Sequence, residues 1–248
     1  MEQKASNAEM KRLNKIRIAK YIYHHGTASK QELASALGFS MPTVLQRVRE
    51  LIEEGIVTES GEYESTGGRK AKVLSIESRA RFALGLDITR NHVSFVLLDA
   101  AGSVRQKKRI RCAFEDKAAY YQNLGSLLEL FLKRCQISRE KILGVGISIP
   151  GIVDEEHQRI LQSHVLKLGE FDLTKIAEYI PFKTSFRNDA NAAAYAELRG
   201  TGPDTVYLSL SNSVGGAIYL NGGIYLGSNY RSAEFGHMTL VPGGRPCY

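Results

Sequence analysis

The stretch Glu234-Phe-Gly-His237-Met-Thr-Leu-Val-Pro-Gly-Gly-Arg-Pro-Cys247-Tyr248 decides how this chain is read. Its carboxylate and imidazole stand three residues apart and face one ligand if the turn between them is helical. His237 also opens an H-x9-C spacing with Cys247, which supplies two zinc-ligand types. The stretch therefore looks like a ligand clamp running into a metal site. A lone Glu–His pair can equally be a surface hydrogen bond, so the reading depends on what lies upstream.

Two upstream segments carry matching chemistry. Ile147-Ser-Ile-Pro150-Gly151-Ile-Val-Asp154 ends an apolar strand in a turn, and Asn188-Asp189-Ala-Asn191-Ala-Ala-Ala194 joins a strand to a helix. A sugar presents several adjacent hydroxyls, each both donor and acceptor. A specific site for it needs convergent carboxylate, amide and imidazole groups. The Asn188-Asp189 pair also suits a plain helix cap.

With the E-x-G-H of residues 234–237, these segments resemble the P-G-x-V-D and N-D-x-N-A-A-A motifs of the ROK family (repressors, open reading frames and sugar kinases), in the family's order. The resemblance spans essentially the whole chain. It implies an actin-like, RNase H-like ATPase fold over residues 81–248, with a first lobe at about 81–200 and a partial second lobe at 201–248. The implied sugar-binding residues are Pro150, Gly151, Asn188, Asp189, Glu234 and His237. The family's zinc is held by a histidine and three later cysteines; here His237 and Cys247 are present, so zinc is expected to bind weakly or not at all. The second lobe is expected to be incomplete, leaving apolar surface on the strands from about Val206 to Leu226. A truncated sequence and a natural short form both fit that expectation.

The apolar pattern agrees with the first lobe. Phe82–Thr89, Val93–Leu98 and Val104–Cys112 read as three antiparallel strands, followed by a helix from Lys117 to Cys135 and a buried strand Ile142–Ile149. The basic run from Arg105 to Arg111 reads as a solvated strand face, with DNA contact as the alternative. In the family's kinases the first strand leads into D-x-G-G-T, whose glycines let backbone N–H groups approach phosphates. This chain has Asp87-Ile88-Thr89-Arg90-Asn91, whose side chains crowd that approach, so neither ATP nor kinase catalysis is expected. Val214-Gly215-Gly216-Ala217 retains part of a second phosphate-side turn, or shapes a hairpin. On this reading Asp189, the kinases' catalytic base, is a sugar ligand.

Residues 1–80 read differently. A helix over 10–25 carries Leu13, Ile16, Ile18, Ala19, Ile22 and Tyr23 near helical spacing. Ser29-Lys-Gln-Glu32 is a capping box for a second helix. Ser40 caps a third, which runs to about Glu54, holds Pro42 in its first turn and is expected to bury Val44, Leu45, Val48, Leu51 and Ile52. Two strands, Ile56–Ser60 and Lys72–Ile76, then flank a polar loop. This is a winged helix-turn-helix pattern with a basic linker, although a three-helix bundle for protein contacts shares its first part. Met41, Thr43, Gln46 and Arg47 are candidates for the base edges. Arg69 and Lys70, in Thr66-Gly-Gly-Arg69-Lys70, are candidates for the minor groove or for a solvated hinge.

Composition is compatible with all of this. Among 248 residues, 43% are hydrophobic and 24% charged, with a net charge of +7. No apolar run is long enough to span a membrane, and Cys112, Cys135 and Cys247 are too widely spaced for a disulfide framework. The expected class is α+β and α/β: a winged helix-turn-helix followed by an actin-like ROK domain. The expected protein is a cytoplasmic, homodimeric regulator that binds an operator in double-stranded DNA, with no membrane partner. It would repress carbohydrate-utilisation genes until a monosaccharide binds. A ROK-type carbohydrate kinase and a fragment retaining only DNA binding are the alternatives. Xylose, glucose-like and amino sugars all fit as effectors.

Overall fold

Side-chain caps set the boundaries of the first helices. In the computed structural model, which describes residues 6–62, 72–198, 204–211 and 213–244, α1 (Asn7–His25) begins where the Ser6 hydroxyl accepts the Glu9 N–H at 3.2 Å. A two-residue strand, β1 (Thr27–Ala28), leads into α2 (Lys30–Leu37). Its capping box is formed: the Glu32 N–H donates to Ser29 Oγ at 3.1 Å, and the Ser29 N–H donates to the Glu32 carboxylate at 2.5 Å. Gly38 ends α2 at φ 66°, a left-handed conformation that a side chain would resist. α3 (Met41–Glu53) starts at Ser40 with Pro42 in its first turn. β2 (Val57–Glu62) and β3 (Lys72–Ile76) complete a sheet of order β1-β3-β2. The strand β1 has no signature of its own in the sequence. Arg69 and Lys70 lie outside the described residues.

The core of this part is Ile18, Ile22, Ala28, Leu33, Val44, Val48, Leu51, Val57 and Leu74. It corrects two burial expectations: Leu45 and Ile52 on α3 are exposed, as are Leu13 and Ile16 on α1. The inner stripe of α3 is Val44, Arg47, Val48 and Leu51, which is i, i+3, i+4, i+7 spacing. Leu45 and Ile52 each follow that stripe by one residue, about 100° around the helix. Arg47 fills the fourth inner position, with its Nη1 2.8 Å from the Glu50 carboxylate.

The chain divides into two compact units, Met1–Ala83 with Leu97–Arg105 and Arg139–Ile142, and Leu84–Val96 with Gln106–Ser138 and Leu143–Tyr248. After the winged part come β4 (Phe82–Ile88), β5 (His92–Asp99), β6 (Val104–Arg111), α4 (Ala118–Cys135) and β7 (Ile142–Ile149). β8 (Ile152–Asp154), β9 (Arg159–Gln162), β10 (Phe171–Asp172), α5 (Thr174–Ala177), β11 (Thr184–Asn188) and α6 (Asp189–Leu198) follow. A five-stranded sheet has the order β11-β7-β4-β5-β6, and β10-β9-β8 form a smaller one. Alternate residues of β4 and β5 are buried, as one packed sheet face requires. From α4, Tyr120, Leu124, Leu128 and Phe131 are buried, and the Phe131 ring stacks on Phe95 with centroids 5.5 Å apart. β6 is an edge strand, and its basic residues are exposed, which discourages another strand from pairing there.

Two features of this scaffold position the site. β11 pairs in parallel with β7, with Asn188 opposite Ile149, so the Asn188-Asp189 junction emerges beside Pro150-Gly151. The remaining strands, β12 (Thr205–Leu210), β13 (Val214–Leu220) and β14 (Gly223–Tyr225), form a sheet in that order. Gly215 and Gly216 lie within β13, paired with Ser209 and Leu208; of the two readings of this stretch, a phosphate-side turn or a hairpin, the structure shows the hairpin. Val206, Leu208 and Leu210 on β12 are exposed.

Candidate functional site

The six residues marked as sugar ligands all line one cavity of about 670 Å³: Pro150, Gly151, Asn188, Asp189, Glu234 and His237. Three loci of the sequence supply them. Asn188, at the end of β11, donates from Nδ2 to the Gly151 carbonyl at 2.9 Å, while its Oδ1 accepts the Asn191 N–H at 3.0 Å. It therefore both caps α6 and ties the two motifs together. Gly151 has φ 134°, and a Cβ there would stand 2.7 Å from the Gln162 carbonyl. Only glycine lets this wall close so tightly. The buried Ser163 holds the same wall by donating to the Pro150 carbonyl at 2.7 Å.

Asp189 is the first residue of α6 and opens onto the cavity. Its Oδ1 accepts the Ala190 N–H at 2.9 Å and the Asn188 amide at 3.1 Å. Loss of hydration pushes its pKa above 3.8, and the Asp87 carboxylate adds to the rise against those two hydrogen bonds. Asp87, on β4, accepts a 2.6 Å hydrogen bond from Ser148. Asp189 is thus a carboxylate that gains from a donor hydroxyl.

Glu234 caps a short 3₁₀ turn at Phe235–His237, and His237 is its last residue. This turn is seated by glycines. A Cβ on Gly216 would stand 2.5 Å from the Phe235 ring and 2.6 Å from the Tyr207 carbonyl, and a Cβ on Gly236 would overlap the Val214 carbonyl. The two glycines let the turn lie directly on β13. His237 Nε2 is 3.6 Å from the Glu234 carboxylate, and its ring lies 6.5 Å from that of His164. Among the described residues no three His, Cys, Asp or Glu side chains converge as a metal site, and Cys247 lies outside them. The described donors do not make up the four that a closed zinc site requires.

Sequence reasoning missed Tyr230, which also lines the cavity. It sits at φ 59°, unusual for a bulky residue. Its hydroxyl reaches Asp154, which is buried, at 3.1 Å. Burial alone would raise the pKa of Asp154; the His157 N–H, the Arg159 guanidinium, the His157 ring and Tyr230 together pull it down to about 2. Nothing in a lone tyrosine within Ser228-Asn-Tyr230-Arg announces this role. Arg231 and Ser213 also line the cavity unannounced.

The turn after β4 is closed by its own residues. Thr89 donates its N–H to the His92 carbonyl at 2.9 Å, and its Oγ1 accepts the His92 N–H at 3.1 Å. Arg90 reaches across to the Val165 carbonyl at 3.2 Å, on a segment that lines the cavity.

On α3, Met41 and Gln46 are exposed as expected. Thr43 is half-buried, its hydroxyl 2.8 Å from that of Ser40. Arg47 corrects the sequence reading: it is 4% exposed and cannot reach a base edge from the inner stripe. Arg49, not singled out by the sequence, faces outward and pairs with Glu53 at 2.8 Å.

Comparison with known proteins agrees with this architecture. The model of the ROK family matches residues 83–248, and a model of winged helix-turn-helix DNA-binding domains matches residues 12–58. A xylose repressor of Bacillus spizizenii is 27% identical over 248 residues, covering 98% of this chain and 64% of its own. The chain spans between 59% and 64% of the length of the curated relatives it matches. The crystal structure of a ROK family transcriptional regulator, a homolog of the E. coli MLC protein, superposes with a TM-score of 0.74 at 23% identity. It covers 96% of this chain and 62% of its own. A ROK hexokinase from Thermus thermophilus superposes at 0.54 with 25% identity, over 67% of this chain and 56% of its own.

Proposed function

The chain belongs to the ROK family, and we propose that it is a sugar-responsive, DNA-binding transcriptional repressor without kinase activity. The observation that carries this reading is the convergence of Asn188, Asp189, Glu234 and His237 on one cavity in a chain that also holds a winged helix-turn-helix. The cavity offers carboxylate, amide and imidazole groups, the set a polyol needs. Asn188 and Asp189 are oriented by the β11–α6 junction, while Glu234 and His237 ride on the turn seated against β13.

The absence of phosphoryl transfer is supported by the turn after β4. Thr89 and Arg90 occupy it with side chains and spend its groups on internal hydrogen bonds, where phosphate binding calls for open backbone N–H groups. Asp189 then acts as an acceptor for a sugar hydroxyl.

The protein acts on an operator in double-stranded DNA, as a homodimer, in the cytoplasm. Its effector is a monosaccharide, with xylose first in line because matched relatives carry that sugar in their names. Release from DNA requires the sugar to bind the DNA-competent and DNA-incompetent forms with different affinity, since equal binding shifts nothing.

The test is a thermal melt of the purified chain against a panel of monosaccharides, with and without ATP, alongside operator binding. A saturating sugar at a hundred times its dissociation constant adds about 2.7 kcal/mol of stability. A shift with one sugar and weakened DNA binding supports the reading. Sugar-dependent ATP consumption overturns it in favour of a carbohydrate kinase.

A further inference from the structure

α3 presents an outward face that differs from the one its sequence suggested. Arg47 is withdrawn into the core, while Leu45 is 48% and Met41 40% exposed. Met41 and Leu45 are four residues apart and so form one apolar ridge along the first turns of the helix. Gln46 and Arg49 flank this ridge on the exposed surface. We propose that the Met41–Leu45 ridge is a base-reading surface, on which Leu45 packs against the 5-methyl group of a thymine beside the adenine that Gln46 reads. This rests on the DNA-binding function proposed above and deepens it by naming the base composition that α3 selects.

The chemistry is specific. In the major groove thymine is the one base that presents a methyl group, and adenine the one that pairs with a side-chain amide through both N6 and N7. Neighbouring apolar and amide side chains therefore match neighbouring A·T pairs. Had Arg47 faced outward, its guanidinium would have favoured guanine. The remaining outward cation, Arg49, is held by Glu53 at 2.8 Å. The position along the helix also fits. The groove is about 12 Å wide, so the first turns enter it. Ile52, also partly exposed, lies about 10 Å further along the axis, where the helix leaves the groove. The ridge is one turn long, too small for a stable contact between chains, which buries on the order of 1,200 Å² or more.

The experiment uses the whole chain. Duplexes enriched by the wild type from a random pool are resynthesised with each thymine replaced singly by uracil, which lacks only the methyl group. Binding is measured for wild type, Leu45→Ala and Gln46→Ala. At one thymine the wild type should bind the uracil duplex about fourfold more weakly, the effect of burying one methyl group. Leu45→Ala should bind both duplexes equally, with an unchanged melting temperature because the residue lies on the surface. Gln46→Ala should lose its preference at the adjacent pair. Equal binding of thymine and uracil duplexes by the wild type at every position overturns the proposal while leaving the DNA-binding function intact. So does a Leu45→Ala chain that changes its oligomeric state but keeps its base preference, which assigns the ridge to chain–chain contact. Failure to enrich any sequence removes the DNA-binding function itself, and this proposal with it.

Discussion

The Tyr230 hydroxyl donates to Asp154 Oδ1 at 3.1 Å across 76 residues of sequence. It fastens the segment that leads into Glu234 and His237 to the wall that begins at Gly151. Because Asp154 titrates near 2 when folded and near 3.8 otherwise, its contribution to stability is present above about pH 3.8. That contribution is lost as pH falls from there towards 2. Tyr230→Phe removes one of the hydrogen bonds that hold the pKa down, so acid unfolding followed by circular dichroism should begin at a higher pH. The same variant should bind sugar more weakly at neutral pH.

Asp189 has the opposite sign. Its folded pKa is raised, so ionisation costs the unliganded protein stability at neutral pH, and stability from this group rises as pH falls through the folded value. Asp189→Asn should therefore melt higher than wild type without ligand, yet show little or no sugar-induced shift. A variant with an unchanged sugar shift would remove Asp189 from the ligand set.

The glycine seat separates neighbouring residues. Gly216→Ala places its methyl against the Phe235 ring and the Tyr207 carbonyl, whereas Gly215→Ala meets ordinary contacts, 3.6 Å to Ala190 and 4.0 Å to Ser209. The first should cost about 1–3 kcal/mol by overpacking and displace Glu234 and His237, with sugar affinity falling. The second should be nearly neutral. Paired urea titrations and sugar melts would distinguish them.

Arg47 is a core residue carrying a charge. Arg47→Ala leaves a cavity and removes the partner of Glu50, and should destabilise the winged domain by about 1–3 kcal/mol. Arg47→Met restores most of the packing volume. Both should retain the wild-type base preference, measured on the enriched duplexes under conditions where the domain is folded. A change in preference with Arg47→Met would return Arg47 to the reading face.

The parts of this fold that follow from local rules were legible in the sequence. The Ser29–Glu32 box, the Ser40 cap, the strand runs and the N-D junction appear where spacing placed them, because caps and periodicity act within a few residues. The six cavity residues were legible as motifs, although their meeting depends on the parallel β11–β7 register, a long-range fact. The errors lie where one residue of helical phase separates inside from outside. Leu45 and Arg47 exchange roles because angular position on the helix outranks hydrophobicity, and the stripe Val44, Val48, Leu51 selects Arg47. Tyr230 was invisible because its role depends on a partner 76 residues away. The glycines at 215 and 216 fit a turn or a hairpin; the hairpin is what forms, and Gly216 is needed there for a ring that packs onto the strand.

In α3 the residues that hold the helix in place and those that face outward form separate sets. Val44, Arg47, Val48 and Leu51 are buried, while Met41, Leu45, Gln46 and Arg49 contribute nothing to the core. Exchanging the outer set costs the fold little, so the base preference proposed for this face can change while the cavity lined by Asn188, Asp189, Glu234 and His237 stays as it is. Such a helix is suited to gene duplication, in which one copy acquires a new target without first passing through an unstable intermediate.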